Sequence, residues 1–261
     1  MATLNRRIDP FRAGWRSRAL WLGLAAYLAY ALATLDIGWQ RFLLGLGQGA
    51  ALLERLFPPD FSRWELLLSD LAESLQIAII ASVVGIVISL FVGLLAARNL
   101  MPNLVSVPVR VLIALCRTFH PVIIAILFVK AVGFGALAGI LTLIIASVGF
   151  IAKLFAEAIE EISLKQVEAI RATGAPFASV IVFGVMPQVF SRFIGFSMYQ
   201  LDSNLRNSTM VGIVGAGGLG GTLFAAFQRF DFDFVTAILI TIIALILVGE
   251  AISNAVRRIF Q

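Results

Sequence analysis

The chain has 261 residues, of which 60% are apolar and 13% are Asp, Glu, Lys or Arg, and its formal net charge is +5. Soluble domains carry about 25% charged residues, so this composition excludes a soluble enzyme and a disordered chain. One cysteine and one histidine exclude an internal disulfide and a metal site built from several thiolates or imidazoles. The basic residues lie beside apolar runs instead of forming one stripe, and we therefore expect no nucleic-acid partner.

Long apolar segments recur along the chain, and each predicts a membrane span because a span needs about 20 apolar residues. We expect spans at about residues 19–35, 75–97, 105–132, 134–155, 180–201 and 234–252. The first is interpreted as a retained span, the alternative being a signal peptide cleaved near Ala31-Leu32-Ala33. Residues 37–68 mix aromatic and charged side chains, which predicts an interfacial amphipathic stretch. The sequence thus predicts an all-α polytopic membrane protein with about six transmembrane helices.

The distribution of charge predicts the orientation of these spans. Cytoplasmic connections carry an excess of Lys and Arg. If the N-terminus is cytoplasmic, most basic residues fall inside, and most acidic residues of the connections fall outside. Both termini are therefore expected in the cytoplasm. We expect residues 1–261 to form one transmembrane domain, in which residues 1–74 hold an N-terminal span with its interfacial segment and residues 75–259 hold the core.

The longest cytoplasmic connection, residues 153–191, predicts a short helix, a sharp break and a return into the membrane. Glu168 and Arg171 have the i,i+3 spacing of a charge pair on a helix. Gly174 supplies a left-handed stop, and Pro187 suits the first turn of the next helix. A short helix held between two spans can move both spans when a partner pushes it.

Residues 168–170 (Glu-Ala-Ile), then Gly174, then Met186-Pro187 resemble the EAA loop of bacterial ABC-importer permeases. The pattern of that family reads E-A-A, three residues, G, nine residues, I, one residue, L-P. Ile170, Gly184 and Met186 depart from it, and Gly184 is expected to weaken packing at the start of the fifth span. The residues that this resemblance assigns to coupling with an ATPase are Glu168, Ala169, Arg171, Gly174 and Pro187.

Residues 95–100, 153–160 and 205–220 are similar to phosphonate-transport permeases of the type I importer class, and the resemblance covers about residues 75–259. It implies the type I ABC importer permease fold, located in the bacterial plasma (inner) membrane. It implies import of phosphonate or a related phosphorus oxyanion, such as phosphate or phosphite. The implied partners are a second permease copy (as a homodimer, or a related permease as a heterodimer), two ATP-binding cassette subunits and an extracytoplasmic phosphonate- or phosphate-binding protein.

The chain itself is expected to be a transport subunit and not an enzyme. The sequence contains no G-x-x-x-x-G-K-[S/T] pattern, so ATP and Mg are expected to be bound by the partner subunit and no cofactor by this chain. We expect no catalytic residue and no metal ligand. The alternative is an ion- or proton-coupled secondary transporter of small anions, which would need intramembrane carboxylates. Asp202 and Glu250 are the acids near span interiors.

Polar residues near the span interiors are the candidates for the substrate path. Arg117 and His120 are expected on one helical face in the middle of the third span, where an arginine costs ~3 kcal/mol or more unless it meets water, a partner or an ion. One interpretation is that both residues line an anion path. The other is that they are structural: Arg117 pairs with a buried acid or with helix-end carbonyls, and His120 caps a helix. Guanidinium, amide and hydroxyl donors suit oxyanions. The candidate path residues are Arg117, His120, Arg206, Asn207, Ser208 and Thr209.

A glycine-rich run over residues 215–220 matches G-x-G-x-x-G but lacks the preceding strand of a βαβ unit and the acidic residue about 20 positions on that a dinucleotide site needs. Two interpretations stay open. The run allows close helix packing with a tight re-entrant turn, or it forms a flexible gate at the end of the substrate path. The residues assigned to this gate or packing loop are Gly212, Gly215, Gly217, Gly218 and Gly220.

Overall fold

The computed structural model describes residues 14–35 and 38–260, except for the side chains of residues 259 and 260. This part of the chain is helical and contains no strand. The chain forms two compact units that are divided between Arg55 and Leu56. The α-helices are α1 (Trp15–Thr34), α2 (Trp39–Arg55), α3 (Trp64–Ala96), α4 (Asn103–Thr118), α5 (Pro121–Val132), α6 (Ala136–Glu160), α7 (Leu164–Ala172), α8 (Phe177–Ser179), α9 (Met186–Ile213), α10 (Leu219–Gln228) and α11 (Phe232–Phe260).

The first unit contains α1 and α2. Helix α1 covers the first expected span and begins a few residues earlier than the sequence predicts. Helix α2 forms the first part of the expected interfacial stretch, and the rings of Trp39 and Phe42 stack with centroids 5.4 Å apart. The arginines at positions 6, 7 and 12 lie outside the described residues. An interfacial location for α2 stays a prediction.

The second unit supplies the long apolar helices. Four helical segments are long and apolar enough to cross a membrane: Trp64–Ala96, Ala136–Glu160, Phe177–Ile213 and Phe232–Arg258. Helices α4 and α5 qualify only as a pair, and so do α1 and α2. The described residues therefore offer four spans, or up to six if each bent pair is one span, which agrees with the number that the sequence predicts.

The third expected span is broken, and the placement of Arg117 and His120 on one helical face was wrong. Helices α4 and α5 meet at an angle of 89°. Pro121 disfavours the helical conformation of the residue before it, and His120 has ψ 141°. The His120 Nδ1 atom accepts a hydrogen bond from the backbone N–H of Val122 at 3.3 Å. His120 therefore caps α5, while Arg117 lies in the last turn of α4.

The fifth span is longer than expected. A three-residue helix, α8, and a π-helical segment, Val180–Val185, lead into α9, which continues to Ile213. Residues 206–209 therefore lie within a helix instead of in a connection. The buried apolar residues Leu205 and Val211 keep this part of the helix in the core, which hydropathy alone does not detect.

Helix α6 lies at the centre of the second unit, packed along α3. Small residues allow the close approach of these two helices. A Cβ atom on Gly85 would lie 2.6 Å from the Cβ of Ser147, and one on Gly93 would lie 2.8 Å from the Cβ of Phe155. The two backbones thus approach more closely than larger side chains would allow.

The compact second unit begins before residue 75, where the sequence placed the start of the core. Leu67, in the first turn of α3, packs in one apolar cluster with Leu219 and Phe234. The Arg63 guanidinium pairs with Asp231 at 2.5 Å and lies 3.7 Å from the ring centroid of Phe234. These contacts join the start of α3 to α10 and α11, so residues 63–74 belong to the same core.

Candidate functional site

The short helix expected in the 153–191 connection is present as α7, Leu164–Ala172. Its inner side is apolar, because Val167 is only 1% exposed and Ile170 is half-buried. Its outer side carries Glu168 and Ala169, both exposed. The helix therefore packs on the protein along one face and leaves the other open. We call the end of the second unit that carries α7 the coupling end.

The stop after α7 has the expected geometry. Gly174 is exposed and has φ +76°, and its backbone N–H bonds the carbonyl of Arg171 at 3.0 Å. The expected Glu168–Arg171 charge pair is not formed, and neither side chain has an ion-pair partner in the described part of the chain. A pair at this spacing is worth only a few tenths of a kcal/mol. Both charges remain available to a partner.

Gln188 ties the two ends of this connection together, a role that sequence reasoning missed. Its Oε1 atom accepts from the backbone N–H of Ser163 at 2.9 Å, and its Nε2 atom donates to the carbonyl of Gly184 at 2.7 Å. Pro187, exposed in the first turn of α9, has no backbone N–H to donate. The neighbouring π-helical segment accommodates this break, and Gln188 holds the start of α7 against it.

Gly184 does not weaken the packing, contrary to expectation. It is buried in the π-helical segment, and a Cβ atom there would lie 3.3 Å from the Cδ1 of Ile170 and 3.5 Å from the Cα of Val167. The missing side chain lets α7 approach the backbone of the following segment. Glycine at this position therefore allows the close contact between α7 and the π-helical segment.

The inner face of α7 is part of a larger apolar cluster. Val167 packs in this cluster with Ile159 of α6 and Val189 of α9. Deeper in the same cluster the rings of Phe155 and Phe193 stack with centroids 4.0 Å apart. Because packed interiors transmit displacement, a force applied to α7 reaches both α6 and α9.

A buried hydrogen-bond network joins α3, α6 and α9, and nothing in the local sequence signalled it. The Nδ2 of Asn204 donates to the Oγ of Ser82 at 2.9 Å and to the Oγ of Ser147 at 3.1 Å. The Nε2 of Gln200 donates to Ser147 Oγ at 2.8 Å and to Asn204 Oδ1 at 2.9 Å. The network fixes the register of three helices, since its polar atoms need these partners away from water.

We expect Asn204→Ala to lower the free energy of unfolding by about 1–3 kcal/mol, because it leaves buried polar partners unpaired. Asn254→Ala, an exposed position on α11, is the matched control and should change stability little. Thermal unfolding of the purified protein compares the two. Equal midpoints for both variants would contradict a stabilising role for the network.

The side chain of Arg117 lies against α6 at Gly149. A Cβ atom added to Gly149 would be 3.0 Å from the Cγ of Arg117. Its side chain is exposed and has no ion-pair partner among the residues that the structure describes. It lines a cavity of about 260 Å³ together with Arg110, Lys153 and Glu157. The alternative of a paired, buried Arg117 is therefore not met.

Residues 206–209 do not form one polar cluster, because consecutive residues of a helix point in different directions. Arg206 is exposed and pairs with Asp202 at 2.7 Å. Asn207 is half-buried and donates to Ser203 Oγ at 3.3 Å. Ser208 and Thr209 are 1% and 7% exposed, so they face the interior. Of these four, only Arg206 and Asn207 stay candidates for the substrate path.

A polar stripe on α9, of which the sequence predicted only Asn207, lines two adjoining cavities of about 400 Å³ and 190 Å³. Both cavities are bounded by Phe150 and Tyr199, and Arg257 of α11 lies at the coupling end of the larger one. We call these two cavities the α9 groove. The α9 residues that line it are Arg192, Gly195, Phe196, Tyr199, Gln200, Ser203 and Asn207. They recur every three or four residues and so lie on one helical face.

The glycine-rich run forms a tight connection between α9 and α10. Gly215, Gly217 and Gly218 have φ of +97°, +85° and +69°, values that favour glycine. A Cβ atom on Gly212 would lie 2.5 Å from the carbonyl oxygen of Gly217. The Oγ of Ser74 accepts from the backbone N–H of Leu219 at 2.9 Å. The structure agrees with the packing interpretation, and a gating role stays a prediction.

Comparison with known proteins gives the family. Residues 85–261 match the family described as "Binding-protein-dependent transport system inner membrane component". The phosphite transport system permease protein PtxC of Stutzerimonas stutzeri is 37% identical over 256 residues, which cover 96% of this chain and 92% of that protein. The phosphate-import permease protein PhnE of Mycolicibacterium smegmatis is 35% identical over 98% of this chain, which spans only 50% of that protein.

Solved structures give the fold. An inward-facing structure of the MetNI methionine ABC transporter has a TM-score of 0.66 and 22% identity, covering 77% of this chain and 99% of that chain. This likeness shows the fold, and it confirms the expected all-α fold of type I ABC importer permeases. The chain belongs to the family of inner membrane components of binding-protein-dependent transport systems, and it is a transport component and not an enzyme.

Proposed function

We propose that this chain is the permease subunit of an ATP-driven importer for a phosphorus oxyanion such as phosphonate, phosphite or phosphate. The observation that carries the coupling role is α7, a helix anchored by Val167 with an open outer face. The substrate class is supported by the relatives, which are named for phosphite and phosphate transport. In this proposal the chain binds no cofactor, and ATP and Mg are bound by the ATPase subunits.

The α9 groove is the proposed path for the anion. Ser203 and Asn207 offer hydroxyl and amide groups along it, and Arg192, which pairs with Glu161, and Arg257 offer guanidinium groups at the coupling end. Such solvated, distributed donors bind an anion weakly enough for release. An open groove on one chain is closed by a second permease, and we propose a homodimer or a pair with a related permease.

The outer face of α7 is the proposed contact with the ATPase. Glu168, Ala169, Arg171 and Gly174 are exposed there, and Pro187 marks the start of the helix that α7 contacts. Movement of the ATPase would displace α7, and the apolar cluster around Val167 would pass this displacement to α6 and α9. The path and the ATP-driven step are thereby joined through one packed core.

Reconstitution tests this function. The chain is co-purified with its ATPase subunits, placed in liposomes with the binding protein outside, and supplied with labelled phosphate, phosphite or methylphosphonate. We expect uptake that needs internal ATP, and a complex whose mass contains two permeases. Uptake driven by an ion gradient without the ATPase would instead establish the secondary transporter. ATP-driven uptake of none of the three anions would reject the substrate class alone.

We expect Glu168→Lys to weaken the docking of the ATPase and to lower ATP-driven uptake about tenfold, without lowering stability, because the side chain is exposed and unpaired in the described part of the chain. Reversal of one charge at an interface costs on the order of 1–2 kcal/mol, which is about tenfold in an equilibrium. Glu54→Lys, exposed at the end of α2, is the control. Normal co-purification of the ATPase with Glu168→Lys would exclude this contact.

A further inference from the structure

We propose that the cavity between α4 and α6 is a binding site for a phosphate-type anionic group. This α4–α6 cavity has a volume of about 260 Å³. Its lining joins three basic side chains, Arg110, Arg117 and Lys153, to one acid, Glu157. The inference does not need the transport proposal, because it follows from the charges and geometry of this cavity.

Two of the three cations are held in place by their neighbours. Arg110 donates to the carbonyl of Ala96 at 2.9 Å and pairs with Glu160 at 2.5 Å. Lys153 pairs with Glu157 at 3.3 Å. Glu160 is itself fixed, since it also accepts from the backbone N–H of Arg98 at 2.8 Å. Carboxylates of α6 thus orient Arg110 of α4 and Lys153 of α6.

Arg117 is the cation without a counter-charge. No described residue forms an ion pair with it, and its aliphatic part rests on Gly149. The three cations face two carboxylates, so one positive charge is left over in this region. An unpaired guanidinium inside a membrane protein seeks an anion or water, and its planar fork matches the oxygens of a phosphate.

The position and the walls of the cavity match a phosphate-bearing ligand that has a small apolar part. Lys153 lies about 10 Å from the end of α6, and Glu157 about 5 Å, at 1.5 Å per residue. The remaining lining residues are apolar: Ala96, Ile113, Ala114 and Ala156. Basic pockets between membrane helices on the cytoplasmic side can bind lipid headgroups, and a free phosphate or phosphonate presents the same oxygens.

The test uses the purified complex of the permease with its partner subunits in nanodiscs of phosphatidylcholine. One arm adds phosphatidylglycerol to the nanodisc, and the other adds inorganic phosphate to the solution. Thermal unfolding reports binding, because a ligand of the native state raises the midpoint. We expect one probe to stabilise the wild-type complex, and we expect Arg117→Gln to need at least tenfold more of it.

Arg258→Gln is the matched control, because it removes an exposed arginine on α11 outside the cavity, and it should respond like the wild type. If the complex with Arg117→Gln does not assemble, Lys153→Gln replaces it, and the same loss of stabilisation by the probe is expected. A response to phosphatidylglycerol alone identifies a lipid headgroup, and a response to inorganic phosphate identifies a free anion. The proposal is overturned if neither probe stabilises the complex, or if Arg117→Gln or its replacement responds like Arg258→Gln. If the wild-type complex binds a probe here but takes up none of the three anions, only the proposed transport substrate is rejected and this site stands.

Discussion

Gly174→Val is expected to lower ATP-driven uptake about tenfold or more, while the protein still inserts and folds. A Cβ atom at this position meets no atom within 4 Å, so the substitution causes no steric overlap with a neighbour. The cost is in the backbone alone, because φ is +76°. A left-handed conformation costs a side-chain-bearing residue roughly 1–2 kcal/mol, and a β-branched residue is least able to adopt it. The strain is relieved by moving the end of α7.

Gly174→Asn separates conformation from size. Asparagine adopts the left-handed region more readily than valine does, so this variant should keep most of the wild-type uptake. Uptake and ATPase activity stimulated by the binding protein are measured for both variants in liposomes, with the amount of assembled complex as the reference. Equal activity of the valine and asparagine variants would show that the left-handed stop after α7 has no role in coupling.

The connection around α7 was predictable from sequence because its signals are local. Good helix formers precede Gly174, and a proline follows it two residues later, so the helix, its end and its left-handed stop needed no information from elsewhere in the chain. The anchor was not predictable. Gln188 reaches Ser163 across 25 residues, and a glutamine in an apolar segment carries no sign of its partner.

The candidate path is less predictable from sequence, because a polar side chain in an apolar segment can face a partner helix as well as water. The sequence predicts a fifth span that ends at about residue 201, yet α9 continues to Ile213 and turns Ser208 and Thr209 inward. Likewise, Gln200 donates a hydrogen bond to Ser147, and Asn204 donates one to Ser82. Where a polar residue faces a partner helix instead of water, only the packing of distant segments decides its role.

The break at Pro121 is a second feature that the sequence predicts only in part. Hydropathy predicts one span over residues 105–132, since the apolar character continues across the break. The proline rule predicts a helix boundary at His120, but it does not give the direction in which the chain resumes. The 89° bend then separates Arg117 from His120 and leaves Arg117 alone beside α6.

Gly220→Ala is expected to lower the stability of the protein through steric overlap. Gly220 lies in the first turn of α10, where an added Cβ atom would overlap the carbonyl oxygen of Thr209 and would lie 2.8 Å from the backbone nitrogen of Ile213. Both neighbours are backbone atoms of α9, so they cannot move aside as a flexible side chain would. Overpacking of this kind costs about 1–3 kcal/mol, and we expect a lower unfolding midpoint and less assembled complex.

Gly221→Ala is the matched control, since the same methyl group one residue later would meet its nearest neighbour, the carbonyl oxygen of Gly212, at 3.7 Å. Alanine is favoured over glycine in a helix by up to about 1 kcal/mol, so this variant should be as stable as the wild type or more stable. Thermal unfolding and size-exclusion chromatography compare the two. If both variants behaved like the wild type, close packing would not explain the glycine run. If Gly221→Ala were stable and yet lost uptake, flexibility at the start of α10, directly after the run, would contribute to transport, because the substitution stiffens the backbone without disturbing the contact.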